Sequence, residues 1–218
     1  MILKCAACSH QVCSAGPGAG EYPDFCPAVQ APEILAEAQR VYADDEVTRA
    51  VAADAARTEA GGYCRETRVE EIMSFARRLG ASHLGLAFCI GLRREAALAQ
   101  GVFEAGGFRV SSVCCKAGAI PKEEIGLRDD EKIRPGQFEA LCNPVAQARL
   151  LAAAGTELNV AVGLCVGHDS LFFRHSAAPV TVLVAKDRVT GHNPAAALYT
   201  SRSYYRRLLA AKPADSSE

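Results

Sequence analysis

The sequence predicts an α/β fold: a mostly parallel sheet with flanking helices, preceded by a small cysteine-rich, metal-held lobe and helices. Three observations lead there. From residue 81 onward, short apolar runs alternate with stretches of helical periodicity, the pattern of strands that pair in parallel through helical crossovers. Residues 32–80 carry helical spacing alone. Residues 1–31 combine cysteine, glycine and proline, including Gly16-Pro17-Gly18-Ala19-Gly20, in a segment too poor in apolar side chains to order itself by a core.

Taken in order, Pro32 suits a first helical position, and Ile34, Leu35, Ala38, Val41 and Tyr42 recur at helical spacing. A second helix is expected from Asp45 to about Ala60, stopped by Gly61-Gly62. A third opens at Thr67-Arg68-Val69-Glu70, a capping-box pattern, and closes at Gly80. Strands follow at 83–89, 108–115, 158–165 and 180–185, with helices at 93–105, 144–154 and about 169–175 between them. Residues 116–137 read as a long loop over the sheet edge, either a flap or a docking surface. Four divisions are thus expected: the lobe at 1–31, a helical segment at 32–80, the α/β domain at 81–211 and a disordered tail at 212–218.

Composition narrows the function classes. Lys plus Arg number 24 against 25 Asp plus Glu, so no positive excess points to nucleic acid and no polybasic run points to a membrane surface. No apolar stretch reaches the ~18 residues that cross a bilayer, and Met1-Ile2-Leu3-Lys4-Cys5 lacks a signal-peptide pattern. A cytoplasmic protein is expected. The ten cysteines then speak for metal or redox chemistry before disulfides. The bland reading, a small buried hydrophobe, suits an isolated residue such as Cys64.

Cys5, Cys8, Cys13 and Cys26, the last followed by Pro27, form a closely spaced quartet. A C-x2-C turn points two sulfurs the same way, and two further thiolates complete a shell for zinc or the corners of an iron–sulfur cluster. The spacing matches neither paired zinc knuckles nor bacterial ferredoxins, so the metal stays open, and His10 is a possible substitute ligand.

A second set lies in the α/β region. Cys89, the pair Cys114-Cys115, and Cys165 each fall at a predicted strand C-terminus, and Cys142 precedes a predicted helix. A parallel sheet gathers all strand C-termini along one edge, where ligands bind in open α/β folds. Cys89, Cys115, Cys142 and Cys165 are therefore expected to converge on one cofactor or redox site. Strand alternation lets only one of the adjacent pair point there; Cys115 is chosen, leaving Cys114 as a reactive thiol. Lys116 and His168 join Cys114 as candidates for thiol or proton handling, and His192 follows the last strand at the same edge.

The strings Ser112-Val113-Cys114-Cys115-Lys116, Cys142-Asn143-Pro144-Val145-Ala146-Gln147-Ala148, Gly163-Leu164-Cys165-Val166-Gly167-His168-Asp169 and Lys186-Asp187-Arg188-Val189-Thr190-Gly191-His192-Asn193-Pro194, with the N-terminal C-x2-C, resemble the DUF1847 family. This is a cysteine-rich group of small bacterial and archaeal proteins, and the resemblance implies metal binding without a reaction or substrate. The sequence thus points to a metal-binding protein with an N-terminal four-cysteine site and a second cysteine site. An iron–sulfur cluster, 4Fe-4S, is the favoured cofactor, with electron or sulfur transfer to a partner protein as its use. The alternatives are zinc in a non-enzymatic carrier or sensor, or a thiol-dependent enzyme.

Overall fold

A computed structural model describes residues 2–10, 12–16 and 18–210; the tail expected to be disordered, 212–218, lies outside them. The chain divides into two compact units, residues 1–61 and 62–218.

The first unit holds a 3-10 turn at Cys5–Ala7, α1 (Val12–Ala15), α2 (Pro27–Gln30), α3 (Pro32–Asp44) and most of α4 (Glu46–Gly62). Proline opens both α2 and α3, where its missing N–H costs nothing and its fixed φ fits the first turn. Asp45 separates α3 from α4, and its carboxylate accepts the N–H groups of Val47 and Thr48 at 3.0 and 3.3 Å. That satisfies donors that the new helix cannot pair internally.

The second unit contains α5 (Arg68–Arg78), β1 (His83–Phe88), α6 (Arg93–Ala105), β2 (Arg109–Cys114), α7 (Pro144–Ala153), β3 (Leu158–Val162), α8 (His168–His175), β4 (Val180–Val184) and α9 (Ala195–Tyr199). The strands form one sheet in the order β2-β1-β3-β4, with every pairing parallel. The expected fold class is the one found. Thr67 caps α5 through the reciprocal capping box with Glu70. The helical segment expected at 32–80 is divided, however, because α5 packs with the sheet and contributes Ile72 and Ala76 to its core.

Alternation along the strands sorts the core onto two faces. Leu84, Leu86, Leu158, Val160 and Val162 join residues of α5 and α6 on one face. Ala87 and Ala161 meet Ala148, Leu151 and Phe172 of α7 and α8 on the other. The edge strand β4 is covered by Arg68, whose guanidinium donates to the Val182 carbonyl at 2.9 Å and to Thr181 Oγ1 at 3.0 Å. Such cover blunts an exposed edge.

At the N-terminal edge of the sheet, buried His83 ties β1 to β2. Arg109 donates to Nδ1 at 2.7 Å, so Nε2 carries the proton and donates to Ser111 Oγ at 2.8 Å. A hydroxyl that accepts from the imidazole is not activated as a nucleophile, and this trio is a structural tie.

Gly85 faces Asn159 in register, and a Cβ at Gly85 would stand 2.0 Å from Asn159 Oδ1. Asn159 is itself held by Thr156 and Ser176 at 2.8 Å each, so it has no room to retreat. Gly85→Ala should lower unfolding stability by about 1–3 kcal/mol, read by urea denaturation; an unchanged midpoint would show that the Asn159 network yields.

Candidate metal centre

The sheet topology brings together cysteines that are distant in sequence. Cys115 directly follows β2, Cys89 directly follows β1, and Cys165 lies just beyond β3. Their order in space repeats the strand order β2-β1-β3. Cys115 hydrogen-bonds to Cys89, and Cys89 to Cys165. Cys142 enters from the loop before α7 and hydrogen-bonds to Cys115. The Asn143 N–H binds the Cys115 carbonyl at 2.7 Å, and Asn143 Oδ1 accepts the Ala146 N–H at 2.9 Å to cap α7. All four cysteines expected at the second site thus form one chain of thiols. Among the described residues, no group of three or more His, Cys, Asp or Glu side chains is arranged as a cage for a metal ion.

Glycine lets β3 deliver Cys165 to this chain. Gly163 has φ of +63°, and a Cβ there would lie 2.5 Å from Leu92 Cδ2. The turn after it is closed by the N–H groups of His168 and Asp169, which bind the Cys165 carbonyl at 2.9 and 3.1 Å.

The electrostatics of the chain are divided. Cys89 and Cys142 are both pulled down to about 5. In each case the largest cause is a hydrogen bond with Cys115, and burial opposes it. The Gly91 backbone and the Lys186 ammonium assist at Cys89; Lys116 and His168 assist at Cys142. Cys115 is driven strongly upward, first by its bonds to Cys142 and Cys89 and then by burial. Cys115 therefore keeps its proton between two thiolates, with the Ile90 N–H on its sulfur at 3.3 Å.

Arg188 completes the surround by donating to Cys165 Sγ at 3.1 Å. Its turn is built on Asp187, which accepts the N–H groups of Val189 and Thr190 at 2.9 and 3.1 Å. His192, singled out in the sequence as a possible base, closes the same turn: its Nδ1 accepts the Asp187 N–H at 3.1 Å. It acts there as a turn residue.

Behind the thiols stands Gln147, fully buried on α7. Its Nε2 donates to the Phe88 carbonyl at 3.2 Å and to the Val113 carbonyl at 2.7 Å. One side chain thereby sets the spacing of the β1 and β2 ends that carry Cys89 and Cys115. Sequence reasoning singled out neither Gln147 nor Arg188. A glutamine on the otherwise apolar face of α7, beside Ala148 and Leu151, was the available signal for the first. The position of Arg188, just past β4, was the signal for the second.

The remaining candidates separate. Lys116 donates to the Ala140 carbonyl, and Lys116 and His168 both line the cleft beside the thiols. Cys114 does not. It pairs in register with Phe88, which packs on the α5–α6 face, so its side chain is on that side of the sheet. Cys64, expected as a buried hydrophobe, is exposed and has φ of +54°. In the N-terminal quartet, the Cys8 N–H binds the Cys5 carbonyl at 3.1 Å, closing the C-x2-C turn. Cys5 and Cys13 are exposed and Cys8 and Cys26 half-buried, and the four are not gathered into a metal-holding group.

Loop 116–143 is tied down by its own polar interior. Its stem pairs Pro121 with Ala140, with Leu141 N–H on the Ile120 carbonyl at 2.8 Å. Inside, the Lys132 ammonium reaches Asp129 at 2.6 Å, Glu123 at 2.8 Å and the Gln137 carbonyl at 2.7 Å. The long loop expected at 116–137 is present, folded around a buried lysine.

Comparison with known proteins decides the family. The family described as "Protein of unknown function (DUF1847)" matches residues 26–183. This chain belongs to the DUF1847 family. An uncharacterized protein of Methanocaldococcus jannaschii is 38% identical over 210 residues, which cover 96% of this chain and all of that one. Among solved structures, Dph2 from Pyrococcus horikoshii, crystallised with a 4Fe-4S cluster, aligns with 66% of this chain at 18% identity and a TM-score of 0.35. The DUF1847 chain spans 33% of the length of Dph2, and so loose a superposition says nothing about its chemistry. No helix among the described residues is long and apolar enough to cross a membrane.

The pKa shifts set a pH profile for the metal-free protein. A lowered thiol is thiolate above its own pKa and loses charge as pH falls through it. Cys142 should therefore alkylate with iodoacetamide at full rate at neutral pH, with half the rate near pH 5. An ordinary thiol reaches half only near about 8.5. Peptide mass spectrometry reads the profile, and a rise confined to alkaline pH would contradict the assigned thiolate.

Proposed function

We propose that this protein holds a thiolate-ligated metal centre at the C-terminal edge of its sheet, with Cys89, Cys115, Cys142 and Cys165 as ligands and an iron–sulfur cluster as the favoured occupant. The observation that carries this reading is the meeting of four thiols from four separate segments, two of them lowered to about 5. Cysteine retained only as packing has no reason to ionise.

The donor set fits such a group. Thiolates are the form that binds iron and zinc, and ligation releases the remaining thiol protons. Lys116, Lys186 and Arg188 stand close to the sulfurs and would offset the negative charge of a cluster. The Ile90 N–H on Cys115 Sγ is the kind of backbone donor that tunes cluster potentials. An iron–sulfur cluster supplies one-electron transfer; electron or sulfur exchange with a partner protein is the matching use. Cys5, Cys8, Cys13 and Cys26 form a second candidate ligand set in the other unit, which metal binding would order.

Zinc suits the same four thiolates. The thiol-enzyme reading also has one specific support: Cys142 is low, half-buried and beside Lys116 and His168. Cys142, in place of Cys114, is then the reacting thiol.

Anaerobic purification with absorption spectra and iron, sulfide and zinc analysis separates these readings. We expect a brown protein whose iron and visible absorption fall when Cys89 and Cys115 are both changed to Ser. Replacing Cys5, Cys8, Cys13 and Cys26 together should leave that part of the signal in place. Colourless protein containing zinc alone would sink the iron–sulfur reading. Full metal content in Cys165→Ser would remove that residue from the ligand set.

A further inference from the structure

The cleft above the thiols has more structure than a metal site requires. It measures about 640 Å³, within the ~300–1,000 Å³ of small-molecule sites. Loop 116–143 forms one wall with Ile125, Leu127, Ile133, Phe138 and Leu141, and Ile90 comes from the opposite side. Phe138 and Ile133 remain 67% and 83% exposed, although the loop's own fold is complete without them.

Charge is sorted across the same loop. Lys116, Lys122, Arg134 and Glu139 line the cleft, whereas Glu123, Glu124, Asp129, Asp130 and Glu131 do not. Two of those acids, Glu123 and Asp129, are taken up by Lys132. Glu139 is occupied as well: it accepts from Lys122 Nζ at 2.6 Å and from the Arg134 N–H at 2.6 Å. At the floor, Arg188 is turned to Cys165, and Lys116, beside Cys142, donates to the Ala140 carbonyl. Arg134 lines the cleft as well; among the described residues its exposed side chain has no side-chain partner, and Ile133 and Phe138 belong to the same lining.

We infer that this cleft binds a small organic anion, with its carboxylate, sulfonate or phosphate group on Arg134 and its apolar body against Ile125, Ile133 and Phe138. The inference goes beyond the metal reading, since nothing in it requires a metal. It assigns the DUF1847 cleft to a small-molecule ligand lying between the loop and the cysteine chain.

A matched pair of fluorescent probes tests it on the full-length protein, with metal content measured on the same samples. Dansyl sulfonate carries the anion and dansylamide is its uncharged counterpart. The sulfonate should bind saturably, one per chain, and about tenfold more tightly than the amide, the worth of one charge-assisted hydrogen bond. Arg134→Gln should bring the sulfonate to the level of the amide while leaving the amide unchanged. Phe138→Asp should weaken both probes. Both side chains are exposed, so neither change threatens folding. Equal affinities for the two probes, or a preference that survives Arg134→Gln, would overturn the inference. Probe preference without metal leaves it standing and removes the metal reading; metal without probe preference does the reverse.

Discussion

All four strands of the sheet run the same way, and the arrangement at the candidate site depends on that constraint. Parallel pairing forces each strand to end at the same edge and each return to cross by a helix that starts there. Three segments that carry cysteines leave adjacent strands at that edge, and the fourth enters with the helix behind them. The buried side chain of Gln147 binds the last carbonyl of β1 and the neighbouring carbonyl of β2, which keeps two of the cysteine-bearing ends at a set separation. Had one strand been antiparallel, its cysteine would lie a full strand length away.

Proximity alone does not set the state of these thiols. Cys115, the most buried of them, holds its proton, and Cys89 and Cys142 beside it ionise. Cations then arrive from two different segments: Lys116 after β2, and Lys186 and Arg188 after β4. The Arg188 turn shows how such placement is made, with Asp187 and His192 directing their hydrogen-bonding groups to the backbone of the loop that aims the guanidinium. In loop 116–143 a buried lysine occupies Glu123 and Asp129, and Glu139, the acid of the loop that lines the cleft, is paired with Lys122.

The two cysteine sets differ in what orders them. The edge set is positioned by a packed sheet, which brings its side chains together. Among the described residues, the N-terminal set has the C-x2-C turn in place, with short helical turns around it.

Much of this was legible in the residues themselves. Short apolar runs, helical periodicity, the Thr67–Glu70 capping box and the prolines at helix starts are local signals, and they located the strands and longer helices of the second unit to within a few residues. Strand alternation plus parallel pairing was enough to choose Cys115 over Cys114 and to expect convergence of Cys89, Cys115, Cys142 and Cys165. What local pattern could not contain was any relation between side chains far apart in sequence. That His192 closes a turn, that Arg188 reaches Cys165, that Gln147 bridges two strand ends, and that Lys132 gathers the acids of its loop all depend on distances set by tertiary packing. The division of the chain at residues 61 and 62 is of the same kind, because α5 reads like its helical neighbours and only its burial against the sheet assigns it to the second unit. By itself, the sequence determined which residues could meet; the packed sheet decided which of them do, because hydrogen bonds and charge pairs act over a few ångströms that only the folded chain defines.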